Sequence, residues 1–315
     1  LAQPLAEIVA DATRRRVAAP DALTQRMIAL AGLALADAIA AAEPERPGRA
    51  RATARPPIAL LLALPDQRDS VTPPDAAALW PALTSASGLA IDAQRSRTFP
   101  RGRAAIFEAL TTARELLARE PDTIVVCGGV DSYADETRVM KEHAQGRTMG
   151  GPYAGDGRVL GEAAGMLVVE PVAKRRGGVV VQSVGRYDDP GHRFGREPAR
   201  GEGLSNAIEA MRGAGDTRTA YRVVWAGLVG ESFEAKQFGV ARLRHRDRLV
   251  DETRVEHPAD RLGDAGAGLG AMLFVDATQR LIAGRRESPA LVWAISDHGP
   301  IGAATLELEA TGGSR

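Results

Sequence analysis

The chain has 315 residues, enough for one large domain or two closely packed halves, and its 44% hydrophobic content is that of a folded globular protein. Forty basic residues balance forty acidic ones, so no overall field draws it to nucleic acid or to a membrane surface. A single cysteine excludes a disulfide framework and suits the cytoplasm, and no apolar run reads as a membrane span. The chain opens on Leu1 inside a helical pattern, which predicts a native start further upstream.

Leu5 to Ala10 and Thr24 to Ala42 carry Ala and Leu at helical spacing, with Asp21 or Thr24 as a cap for the second. Glu43 to Pro57 is a Pro/Arg-rich connection whose Arg46, Arg49, Arg51 and Arg55 read as solvated. Ile58 to Leu64 predicts a short buried strand, Pro73 to Leu83 a helix, and Gly88 to Asp92 a brief strand. Arg103 to Arg119 is a helix with Ile106, Leu110, Ala113 and Leu117 on one stripe, followed by a strand over Thr123 to Val130. Glu136 to Gly155 reads as a helix and then a loop, and Lys174 to Gly178 as a turn. Strands are expected over Val179–Tyr187, Tyr221–Leu228, Ala290–Ile295 and Ala303–Leu308. Helices are expected over Leu204–Arg212, Glu231–Arg246 and Arg261–Ala277. Alternating strands and helices define an α/β protein, with the same rhythm in both halves.

Two stretches stand out. Asp156 to Glu170 reads D-G-R-V-L-G-E-A-A-G-M-L-V-V-E: a Gly-punctuated turn, small residues around Glu162, then a buried strand. Upstream, Thr123 to Ser132 reads T-I-V-V-C-G-G-V-D-S, a strand ending in a Gly-Gly pair. Together, in this order, they resemble the β-ketoacyl synthases of the thiolase-like superfamily. The resemblance implies a five-layer αβαβα fold of two duplicated halves, residues 1–175 and 176–315, meeting near Lys174 to Val179. It also implies a two-fold dimer, formed with a second copy or with a paralogue, through an edge strand within Gly88 to Phe99.

The family's chemistry needs a Cys at the N-terminus of a buried helix, where the helix dipole favours the thiolate, and two His that bind the thioester oxygen. Counting back from Gly128 by the family's spacing reaches Phe99 to Ala105, where Arg101, Gly102 and Arg103 occupy the elbow. Arginine stays protonated and cannot be a nucleophile. Gly227 stands where the first His falls and Asp264 where the second does, with His257 near the family's Lys position. Cys127, at the end of an apolar strand, reads as a small buried hydrophobe. Asp297 and His298 lie in the loop that lines the family's pocket, or else form an Asx-type turn with His298 exposed. Arg101, Arg103, Gly227, Asp264, Asp297 and His298 are therefore the candidates for a remnant pocket, either salt-bridged and closed or open to anions at the helix start. Glu162 is expected to be structural, buried and hydrogen-bonded beside it.

The five histidines lack metal-ligand spacing, and neither a metal nor a cofactor is expected. Three functions stay open. One is a non-condensing protein that binds an acyl group, an acyl carrier protein or another protein. The second is an acyl-processing enzyme (acyltransferase, decarboxylase or hydrolase) built on Asp264, Asp297 and His298. The third is a structural subunit beside an active ketosynthase. The basic run Arg242 to Arg248 reads as a solvated face, or as a dock for an acidic carrier.

Overall fold

A buried strand covered on both faces is apolar throughout, and β1 (Ala59–Leu64) is six apolar residues, all buried. The computed structural model describes residues 21–42, 56–69, 76–150, 156–174, 177–212 and 220–309. The helix over Leu5–Ala10 and the four arginines of the 43–57 connection lie outside the described residues. The first half contains α1 (Ala22–Ala42), β1, α2 (Ala76–Ser87), β2 (Arg97–Pro100), α3 (Ala105–Arg119), β3 (Val125–Ser132), α4 (Glu136–Ala144) and β4 (Glu162–Val169). The second contains β5 (Gly178–Asp188), α5 (Gly203–Met211), β6 (Val223–Ala226), α6 (Ser232–Arg244), β7 (Arg254–Glu256), α7 (Ala259–Leu262), α8 (Gly266–Ile282), β8 (Ala290–Ile295) and β9 (Pro300–Glu309).

The strands form two sheets, ordered β2-β1-β3-β4 and β7-β6-β8-β9-β5. In each, the central strand (β1 or β6) pairs parallel with both neighbours, and the next strand (β3 or β8) pairs antiparallel with the one after it. The second sheet thus repeats the first and adds β5, antiparallel to β9. The helices make the layers. α3 and α8 lie between the sheets, where Phe107 and Phe274 meet edge to face at 5.2 Å. α1 and α2 cover the outer face of the first sheet, and α5 and α6 that of the second. The five-layer architecture is the expected one.

Three expectations are corrected. Gly88–Asp92 is not a strand; Ile91 makes an isolated bridge to Ile58, and the edge strand is β2. Arg261–Ala277 is not one helix. Gly263 sits at φ 71°, breaking the chain between α7 and α8. Third, α1 is long and apolar enough to cross a membrane, by length and composition. One of its faces nevertheless enters the core through Met27, Ile28, Ala31, Leu35 and Ile39, as a packed helix requires. Asp21 caps it, accepting from the Thr24 amide at 2.7 Å.

A closed ionic site between the halves

The N-termini of α3 and α8 meet between the sheets. Gly102 turns the elbow with φ 73°, a conformation that favours glycine. Gly270 of α8 lies so close that an added Cβ would stand 1.9 Å from the Arg103 carbonyl oxygen. The backbone holds Arg103 in the interior, 3% exposed. The Ala104 amide at the helix start donates to Ser296 Oγ at 2.9 Å, so part of the anion-attracting terminus is already occupied.

Around Arg103 gathers a buried ionic cluster. Arg103 pairs with Asp297 at 3.1 Å and Asp264 at 3.5 Å. Arg147 pairs with Glu231 at 2.8 Å, Asp297 at 2.9 Å and Glu142 at 3.3 Å. Arg158 pairs with Asp264, with Glu142 at 2.6 Å and with Asp297 at 3.6 Å. Arg193 closes the outer side against Glu231 at 3.1 Å, Glu234 at 3.4 Å and Asp297 at 3.7 Å. Four guanidiniums (Arg103, Arg147, Arg158, Arg193) thus face five carboxyls (Glu142, Glu231, Glu234, Asp264, Asp297). Asp264 also takes the Gly266 amide at 3.0 Å, fixing the first turn of α8.

Burial alone would push Asp264 and Asp297 up. The charges of Arg103 and Arg158, joined at Asp297 by Arg147 and Arg193, outweigh it and hold both carboxyls below the usual range. Glu234 behaves oppositely. Burial raises it to about 7, because the pull of Arg103 is weaker and Glu231 repels its charge. Its Oε2 has no hydrogen-bond partner. A proton on Glu234 leaves four negative carboxyls against four guanidiniums.

The expected site residues divide. Arg103, Asp264 and Asp297 come together as the core of the cluster. Arg101 does not join them; it turns outward to Asp188 and Glu108, with its side chain 39% exposed. His298 is held by Asp69, its Nε2 2.8 Å from Oδ1, with the Phe194 ring 4.9 Å away. Gly227 is walled in: a Cβ there would lie 2.9 Å from the Ala294 Cα and the Trp293 carbonyl oxygen. This packing leaves no space for a histidine. Glu162 is hydrogen-bonded, as expected, to Ser132 at 2.7 Å and paired with Arg26 of α1. It is not buried, however, with 27% of its side chain exposed. Cys127 is fully buried and burial pushes its thiol up, which suits a structural role.

Nothing in the sequence singles out Glu142, Arg147, Arg158 and Arg193, and Glu231 and Glu234 stand there only at the start of a helix. Most of their partners lie far along the chain, and even Glu142 and Arg147 pair around the C-terminal end of α4, so no regular spacing marks them. Carboxyl oxygens of Glu231, Glu234 and Asp297 approach within 4.8 Å of one another, a separation compatible with a metal. Arg103, Arg147 and Arg193 already pair with them, which leaves no free ligand set for a cation.

Compared as a sequence, the chain matches no family model and no curated protein. Compared as a structure, it superimposes on ketosynthases. A ketosynthase from module 6 of the bacillaene synthase of Bacillus subtilis 168 matches with TM-score 0.68 and 13% identity, over 94% of this chain and 59% of that one. The ishigamide ketosynthase/chain length factor matches with TM-score 0.61 and 20% identity, over 94% and 83%. The type II polyketide complex AntDE:AntF, a ketosynthase with its acyl-carrier protein, matches with TM-score 0.62 and 13% identity, over 79% and 78%. The fold is therefore that of the thiolase-like ketosynthases.

Proposed function

We propose that this protein is a non-condensing member of the ketosynthase fold, acting by binding a carrier protein or a paralogous subunit rather than by joining acyl groups. The observation that carries this reading is Arg103. A permanently charged group occupies the start of α3, where the resembled family needs a nucleophile. The carboxylates of Asp297 and Asp264 hold it there, with the Glu234 carboxyl in range beside them. A condensing site needs a thiolate and a dry, open space for the thioester; ions fill this one.

Asp264 and Asp297 are neutralised by arginine, and His298 is engaged with Asp69, so the acyl-processing reading loses its three residues. The partner reading gains support from the likeness to a ketosynthase/chain length factor and to a ketosynthase that holds its carrier. β2, at the edge of the first sheet, is the proposed pairing strand for a second copy or a paralogue in the cytoplasm.

The test combines two measurements. Incubation with acyl- and malonyl-carrier donors, followed by intact-mass analysis, is expected to give neither an acyl adduct nor a β-ketoacyl product. Light scattering, with the protein alone and mixed with a ketosynthase and carrier from the same genome, is expected to show a dimer or a mixed complex. Turnover sinks the proposal, as does a monomer that binds neither.

A further inference from the structure

Of the four guanidiniums in the ionic cluster, Arg193 is the outermost. Its side chain is 19% exposed, whereas those of Arg103, Arg147 and Arg158 are 7% exposed or less. It comes from residues 189–202, the irregular segment between β5 and α5. Two side chains of α6 hold that segment near its ends: Gln237 donates to Asp189 at 2.9 Å and Lys236 to the Ala199 carbonyl at 2.6 Å. Between them the turn 192–195 closes on itself, the Gly195 amide donating to the His192 carbonyl at 2.8 Å.

The place that receives Arg193 suits a flat cation. One terminal nitrogen lies 3.1 Å from Glu231 and 3.4 Å from Glu234, and Nε lies 3.7 Å from Asp297. The guanidinium carbon stands over the Phe233 ring, 4.9 Å from its centre. Three carboxyls around the edge of a planar group, with an aromatic face against it, match a guanidinium. An ammonium is a compact, more strongly hydrated point charge that cannot spread among them. Glu231 and Asp297 also pair with Arg147, so both keep a partner if Arg193 turns outward. Glu234 would keep only Arg103, 4.0 Å away; it is fully buried, and its Oε2 already has no partner. Three guanidiniums would then face the same carboxyls, and the emptied place calls for one positive charge.

We propose that Glu231, Glu234, Asp297 and the Phe233 ring form a guanidinium-binding seat, that Arg193 fills it as an internal ligand, and that a free alkylguanidinium cation takes it in exchange for Arg193.

Ethylguanidinium is the fragment that Arg193→Ala removes, which makes it the probe. Melting curves of Arg193→Ala, taken with ethylguanidinium, ethylammonium or magnesium at matched ionic strength, read the seat. Ethylguanidinium should raise the melting temperature saturably, at concentrations at least about tenfold lower than ethylammonium needs. No rise, an equal rise with ethylammonium, or a larger one with magnesium overturns the proposal; the last would make the emptied carboxyls a metal site. The parent chain tests the exchange itself, with Arg193 competing as a tethered ligand. Hydrogen exchange across residues 190–198 should quicken about threefold or more when ethylguanidinium is added, because the turn loses the side chain that pins it. Unchanged exchange at about ten times the concentration that saturates the variant makes Arg193 a fixed structural ion and overturns the proposal. Should Arg193→Ala not fold, the parent chain decides alone, with ethylammonium as the control. Quickening by ethylguanidinium only supports the seat, and no difference between the two cations rejects it.

Discussion

Arg103 from the first half and Asp297 from the second meet at 3.1 Å, each almost wholly buried, at the centre of a nine-residue ionic cluster that joins the two halves. A buried ion pair is weak evidence for stability, because desolvation costs nearly as much as pairing returns. Removing one member is a different matter, since its partners remain buried and charged.

Arg103→Ala is therefore expected to destabilise the fold by about 3–5 kcal/mol. Urea unfolding monitored by circular dichroism measures it. Unchanged stability, together with new stabilisation by an added acidic or phosphopantetheine ligand, would mean that the helix terminus is an open anion site.

Stability should fall on both sides of a mildly acidic optimum. Asp264 and Asp297 lie below the usual carboxylate range in the fold, so their contribution is present above that range and is lost as pH falls through it. Glu234 is raised to about 7, so its contribution is full below its ordinary value and is lost as pH climbs through 7. Glu234→Gln, which stays neutral, should exceed the parent chain in stability at pH 8 by roughly 2–3 kcal/mol and match it near pH 4.5. Melting curves across that interval test the sign, and a difference that shrinks as pH rises refutes it.

Cys127 should resist alkylation in the native protein and react readily in denaturant, because the thiol is buried and its thiolate disfavoured. An adduct formed under native conditions, with iodoacetamide or with an acyl thioester, would reopen a catalytic role.

Two glycine substitutions of equal size should move stability in opposite directions. Gly270→Ala drives a methyl into the Arg103 carbonyl and should cost about 1–3 kcal/mol or more. Gly239→Ala in α6 meets nothing within 4 Å and should gain about 0.5–1 kcal/mol from helix propensity. Thermal denaturation of the pair decides, and equal shifts would deny that the elbow is tightly packed.

Much of the fold was legible in the sequence, because strands such as Ala59–Leu64 and Ala290–Ile295 are apolar throughout and helices such as Ala105–Arg119 carry a stripe. These signals are local. The break at Gly263 was not legible, since the Gly/Ala run around it continues a helical pattern and its left-handed backbone depends on packing. Nor was β7, whose three residues Arg254–Glu256 are strand because β6 offers them an edge.

At the site, the sequence by itself determined the chemistry of single side chains: Arg103 cannot be a nucleophile in any environment, and neither Gly227 nor Asp264 carries an imidazole. Only the tertiary structure decided what surrounds Arg103 and Asp264. Arg147, Arg158, Glu142, Glu231 and Glu234 carry no sequence signal that folding takes them inside, nor Arg193 that it closes over them. Charges separated by up to 194 positions, as Arg103 and Asp297 are, become neighbours only when the two sheets close on α3 and α8. Removed there from water, each needs a partner, and the cluster is the arrangement in which nearly every charge has one.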